Sequence, residues 1–202
     1  LFHYNFIYPH KTTVIGEGFT DPRHLRVAYK VIYDTHKNSI KFTYLGDTKR
    51  FSHFTGMKGG TSLINKFLSE YQLIDKSIAI SNFPCIIILD GDKAGDDVVK
   101  MANKLFDKTI KKINIPTVEI MLFYHVYNNL YILQLDKNVD VEKLYDPNIL
   151  QTKIGQRTFN PSNKKTDQSK YYGKKDFLER VVEPSRNEID FSNFEIIFKT
   201  LN

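Results

Sequence analysis

The run from Pro84 to Leu89 reads Pro-Cys-Ile-Ile-Ile-Leu, with no charged or strongly polar side chain before Asp90. A strand with one face in water alternates apolar and polar residues, whereas an unbroken apolar run belongs to a strand covered on both faces. Helices on both sides of a sheet provide that cover, so this segment alone points to an α/β architecture.

The flanking sequence agrees. Thr12-Thr-Val-Ile-Gly16 is β-branched and apolar and ends in Glu17-Gly18, which reads as a strand closed by a tight turn. Asp21-Pro22 then offers an N-cap followed by proline at the first helical position, and Leu25, Ala28, Tyr29 and Ile32 recur at helical spacing up to Tyr33. Ile40 to Leu45 reads as a second strand. Gly46 to Gly60 reads as a basic loop. Thr61 or Ser62 is placed to cap a helix with Leu63, Phe67, Leu68 and Tyr71 on one face. After the central strand a helix carries Val98, Val99, Ala102, Leu105 and Phe106 inward, and strands are predicted over Thr117–Tyr124 and Leu130–Leu135, joined across Asn128-Asn129. This succession of strand and helix predicts right-handed crossovers and a largely parallel sheet flanked by helices. From Gln151 to Lys175 the sequence is polar and basic and reads as a loop. Asp176–Val182 is helical in pattern, and Ile189, Phe191, Phe194, Ile196, Ile197 and Phe198 form an apolar tail that must be buried.

Composition narrows the function classes. Lys and Arg number 29 against 23 Asp and Glu, a formal net charge of +6 that favours polyanionic partners. The single cysteine, Cys85, excludes an intrachain disulfide and a Cys-cluster zinc site. His3, His10, His24, His36, His53 and His125 show no metal-ligand spacing, and His53 alone, on the basic loop, is a candidate acid. No apolar run is long enough to span a bilayer and no signal peptide is evident, so a cytoplasmic location and no membrane partner are expected. The chain starts at Leu1 rather than Met, and a piece of a longer polypeptide is the expectation.

Three acids carry the candidate chemistry. Glu17 closes the first strand, and Asp90 and Asp92 close the central one; in open α/β sheets functional groups gather at the carboxyl ends of strands. Alternate residues of extended chain face one way, so Asp90 and Asp92 can point together, and three hard oxygen donors suit Mg²⁺, with Mn²⁺ as a substitute. Gly18 and Gly91, directly after these acids, would let a ligand approach the backbone closely. Asp92 and Asp21 are equally readable as helix N-caps, and Asp96 and Asp97 as acids favoured by a helix N-terminus. Asp21 could instead touch an ion through water, and Asp96 could reach a second ion. Lys93, beside the acidic pair, could meet a phosphate.

Val14-Ile-Gly-Glu-Gly-Phe-Thr-Asp21, followed by Ile87-Ile-Leu-Asp-Gly-Asp-Lys-Ala-Gly95, resembles the two acidic motifs of the Toprim domain found in topoisomerases, bacterial primases and several nucleases. The resemblance covers roughly residues 10 to 135 and implies a Rossmann-like Toprim fold. It makes Glu17 a general base or metal ligand and Asp90 and Asp92 the holders of Mg²⁺. Gly173 to Val182 and Ile189 to Phe194 resemble the closing segment of retron-associated Toprim proteins, which implies the C-terminal Toprim part of a retron reverse transcriptase fusion. The expected organisation is a Toprim-like catalytic domain over residues 1–150 and a basic loop with a C-terminal extension packed on it over 151–202.

The implied activity is a metal-dependent endonuclease acting on nucleic acid, with RNA favoured, tRNA a plausible target and DNA an alternative, as the toxic effector of antiphage defence. The implied partners are the upstream reverse transcriptase module and its retron RNA and DNA. Lys49, Arg50 and Lys58 on the basic loop, with Lys174 and Lys175, are the candidate nucleic-acid contacts. Lys164, Lys165 and Lys170 lie near Tyr171 and Tyr172, a pairing of charge and rings that suits stacked bases. The alternative is a nucleic-acid-binding or assembly module, in which the tail mediates oligomer formation.

Overall fold

The computed structural model describes residues 6, 9–33, 39–46, 60–74, 82–106, 110–113, 121–161 and 167–201. The chain divides into two compact units, Leu1–Pro22 with Asn38–Asp140, and Arg23–Lys37 with Val141–Asn202. This differs from a boundary after residue 150. The helix α1 (Asp21–Tyr33) groups almost entirely with the C-terminal residues, because its rings pack there.

The first unit is α/β. Its described strands are β1 (Thr12–Gly16), β2 (Ile40–Tyr44), β3 (Cys85–Leu89), β4 (Lys111–Ile113), β5 (Met121–Tyr127) and β6 (Leu130–Leu135), in the spatial order β2-β1-β3-β6-β5-β4. The β1–β2, β1–β3 and β3–β6 pairs are parallel, while β5 runs antiparallel to both β6 and β4. The sheet is thus mostly parallel, flanked by helices and compatible with a Rossmann-like fold.

All five residues of β3 are buried, which answers the apolar run that the sequence presents. Ile15, Ile87 and Leu89 share a core with Leu63, Ile64, Phe67, Leu68 and Tyr71 of α2 (Thr61–Gln72) and with Val98 and Ala102 of α3 (Lys93–Leu105). The two helices show the expected amphipathic spacing, with Lys66, Glu70, Asp97 and Lys100 left on the outside. The N-cap of α2 is Gly60 rather than Thr61 or Ser62. At φ 71° it holds a left-handed conformation natural to glycine, and, having no side chain, it leaves the first turn without a side-chain cap. The predicted β5–β6 turn is present, with Asn128 at φ 54°. Below it Asn129 ties three segments: its amide donates to Phe83 O at 2.9 Å, its carbonyl accepts from Cys85 N–H at 2.7 Å, and its side-chain oxygen accepts from the Tyr71 hydroxyl.

The second unit is mainly helical. It contains α1, a 3₁₀ turn (Val141–Leu144), α4 (Pro147–Leu150), the short parallel pair β7 (Thr158–Phe159) and β8 (Tyr171–Tyr172), α5 (Lys174–Phe177) continued by a π-turn (Leu178–Val182), and α6 (Ser192–Leu201). Its core is aromatic: Tyr145 lies 4.9 Å from Phe194, Tyr29 5.2 Å from Phe198, and Phe159 4.5 Å from Phe177, ring centre to ring centre. Such pairs contribute about 0.5–1.5 kcal/mol each beyond their burial. The apolar tail is buried here, as α6 and the residues leading to it. The stretch read as a loop from Gln151 to Lys175 holds β7 and β8 among its described residues, because Phe159 and Tyr172 anchor it. Among the described residues no helix is long and apolar enough to cross a membrane.

Candidate active site

Glu17 follows β1 and Asp90 follows β3. Because the two strands are parallel neighbours with Gly16 opposite Ile88, their carboxyl ends coincide. Glu17 Oε2 accepts a hydrogen bond from the Asp90 backbone N–H at 3.3 Å, so the two acidic motifs meet. Asp21 holds the turn between them and the helix: its Oδ2 accepts from the Gly18 N–H at 2.5 Å, and the residue is buried. This bond points back into the Glu17-Gly18 turn. Asp21 therefore positions the backbone that carries Glu17. Gly16 completes the turn, since a Cβ there would stand 2.6 Å from Pro22 Cδ.

Asp92 behaves otherwise. It is the N-cap of α3, with Oδ1 accepting from the Gly95 N–H at 2.9 Å. A carboxylate has two oxygens and about four lone-pair sites, so this cap leaves Oδ2 able to ligate a cation. Lys93 opens α3 in an exposed position and forms no ion pair among the described residues. Asp96 is tied to the sheet, Oδ1 accepting from Gln134 Nε2 at 2.8 Å, while Asp97 meets Lys100 at 3.3 Å.

The glycines have a different purpose from the one expected. A Cβ on Gly91 would lie 1.6 Å from Asp136 O, and one on Gly95 2.2 Å from Asp90 O. Gly91 N–H donates to Val139 O at 2.8 Å and its carbonyl accepts from Asn138 N–H at 2.6 Å. The close approach at Gly91 is made by the turn after β6 rather than by a ligand. Gly18 likewise faces the Asp21 carboxylate.

As a donor set, Glu17, Asp90 and Asp92 fit a hard divalent cation: all are carboxylates, and they lie at the ends of adjacent strands. In the arrangement seen, no group of three His, Cys, Asp or Glu among the described residues is spaced to hold an ion. The chemistry of the set fits magnesium; its spacing is that of a capped helix and a braced turn.

Of the candidate nucleic-acid contacts, Lys49, Arg50 and Lys58 lie outside the described residues, as do His53, Lys164 and Lys165. Lys174 and Lys175 open α5. Lys174 Nζ is 2.7 Å from Glu142 Oε2, an acid only 1% exposed, so its charge answers a buried carboxylate. Lys175 is exposed. Lys170 lies 3.8 Å from Asp167. Tyr171 is exposed, but Tyr172 is buried and its hydroxyl donates to Thr152 O, which removes it from any base-stacking surface.

The second unit also holds a polar cluster that the sequence gave no means of finding. His24 is fully buried on α1, its Nδ1 2.8 Å from the Tyr145 hydroxyl and its Nε2 3.7 Å from Glu142 Oε1. Burial, and then the positive charges of Lys174 and Arg23, push His24 down to about 3, so it is neutral near pH 7 and Lys174 is the cation that serves Glu142. An apolar helix face with one histidine in it looks the same in sequence whether that histidine is buried or not.

No protein-family model matches this chain, and no solved structure matches it significantly.

Proposed function

We propose that the edge formed by Glu17, Asp90 and Asp92 is the active site of a Toprim-like, Mg²⁺-dependent endonuclease. The observation that carries the reading is the hydrogen bond from Asp90 N–H to Glu17 Oε2, which brings two acidic motifs far apart in sequence to one sheet edge. Glu17, Asp90 and Asp92 would hold the ion, which when bound would neutralise phosphate charge and activate water. Glu17, on the turn that Asp21 pins, would alternatively serve as the general base, and exposed Lys93 would meet a phosphate oxygen. The net charge of +6 supports a nucleic-acid substrate. Within this reading the substrate is RNA, with tRNA a plausible target, and the chain is the Toprim part of a retron reverse transcriptase polypeptide, acting as a toxic effector against phage in the bacterial cytoplasm.

The test is incubation of the chain with total RNA and with plasmid DNA, in Mg²⁺, in Mn²⁺ and with chelator. Metal-dependent fragments that disappear in both Glu17→Gln and Asp90→Asn support the reading, and cleavage surviving in both variants defeats it.

A second reading is favoured by one observation, the use of Asp92 Oδ1 to close the first turn of α3. If the acids serve architecture, the chain is a nucleic-acid-binding or assembly module beside a reverse transcriptase. It would then bind nucleic acid without cutting it, equally well in the parent and in both variants.

A further inference from the structure

On the second unit, α1 and the residues after the π-turn enclose a cavity of about 570 Å³. Its wall includes Arg23, Arg26, Lys30 and Arg186, with a single carboxylate, Glu183. Arg23, Arg26 and Lys30 are three and four residues apart and so share one face of α1. Arg23 is spent internally, with one guanidinium nitrogen 2.8 Å from Glu179 and the other 2.9 Å from Glu183. That bridge cancels the one acid of the wall and fixes the guanidinium against it. Lys30 and Arg186 are exposed and form no ion pair among the described residues, and Arg26 is exposed beside them. Val27 and Val31, on the adjoining strip of the same helix, provide an apolar surface.

We propose that this groove binds the phosphate backbone of a single-stranded nucleic acid, with Lys30 and Arg186 as its phosphate contacts. Arginine offers a planar fork of donors that matches phosphate oxygens, and several cations in one wall match a ligand whose charge repeats along its length. The cavity is of the size that encloses a small organic group, so a nucleotide unit can enter it with ribose and base against Val27 and Val31. An acidic peptide would share the charge but would lack a planar ring for the apolar strip. None of the groove's cations is an acid of the candidate site, and the inference holds whether or not Glu17 and Asp90 cut phosphodiesters.

The experiment measures binding of a labelled oligouridylate to the whole chain by fluorescence anisotropy, in chelator, over a range of salt. Lys30→Glu with Arg186→Glu, and each single variant, are compared with Lys100→Glu, a single charge reversal on the exposed side of α3. The double variant should bind roughly tenfold or more weakly, and its log–log salt slope should fall by about 1.4, the value for two lost contacts to a single strand. Lys100→Glu should stay within about twofold of the parent, because Lys100 is not among the residues that line the groove. A thermal melt of each variant confirms that the fold is kept. Equal losses in the double variant and in Lys100→Glu, an unchanged affinity in the double variant, or competition by polyglutamate as effective as by unlabelled RNA would each overturn the proposal. Uridine monophosphate separates strand from free nucleotide: binding of the mononucleotide without binding of the oligomer would also overturn it.

Discussion

The carbonyl oxygen of Asp136 fills the space that a side chain on Gly91 would need, 1.6 Å from the position of a Cβ there. Two backbone hydrogen bonds, Gly91 N–H to Val139 O and Asn138 N–H to Gly91 O, hold the segments that follow β3 and β6 together at that point. Gly91→Ala must push the turn after β6 away and stretch both bonds. We expect a loss on the order of 3 kcal/mol, read as a lower urea midpoint. A variant as stable as the parent would show that the turn yields freely.

Asp92 separates structure from chemistry. Asparagine caps a helix about as well as aspartate, so Asp92→Asn should melt within about 0.5 kcal/mol of the parent, whereas Asp92→Ala should lose roughly 1 kcal/mol with the bond to Gly95. If the acidic edge holds magnesium, both variants lose cleavage. Cleavage retained in Asp92→Asn would remove this residue from the site.

Lys174 and Lys175 are neighbours in sequence with opposite predicted costs. Lys174→Met leaves Glu142 buried without its cation and should cost about 3 kcal/mol. Lys175 is exposed, and Lys175→Met should change stability by less than about 0.5 kcal/mol. Chemical denaturation of the two variants side by side checks the contrast, and equal effects would deny the ion pair its importance.

His24 makes stability depend on pH. Its folded-state value of about 3 lies below the ordinary 6.5, so between those limits the unfolded chain binds the extra proton. Stability from this group is complete above pH 6.5 and is lost as the pH falls toward 3, at up to about 1.4 kcal/mol per pH unit within the window. Comparing urea midpoints at pH 7.5 and pH 4.5 for the parent and for His24→Gln tests this. The parent should lose more than the variant, which has no imidazole to charge.

The parts of the fold legible in sequence were those set by local pattern. Ile86–Leu89 could only be a strand covered on both faces, and Thr12–Gly16 before Asp21-Pro22 could hardly be anything but a strand leading to a helix. The edge strand β4 is not legible in sequence because an edge carries charge, here Lys111 and Lys112, and so resembles a loop. The predicted start of β5 at Thr117 lies outside the described residues. The strands β7 and β8 were hidden because two residues carry no periodicity, and long-range ring contacts hold them. The acids of the candidate site were legible by residue type and order. Their division of labour was not: the cap Asp92, the brace Asp21 and Glu17, which reaches the neighbouring strand end, read alike until the backbone N–H each one meets is known.

The second unit is assembled from both ends of the chain. His24 and Tyr145, in hydrogen-bond contact, stand 121 residues apart in sequence. During synthesis α1 leaves the ribosome long before Tyr145, Phe177 and Phe198 exist to cover its apolar side, while β1, β3 and β6 can already pair once Leu135 has emerged. An early stop or a proteolytic nick after residue 140 would therefore strand α1 with a bare greasy face, turning a local break into an aggregation-prone protein.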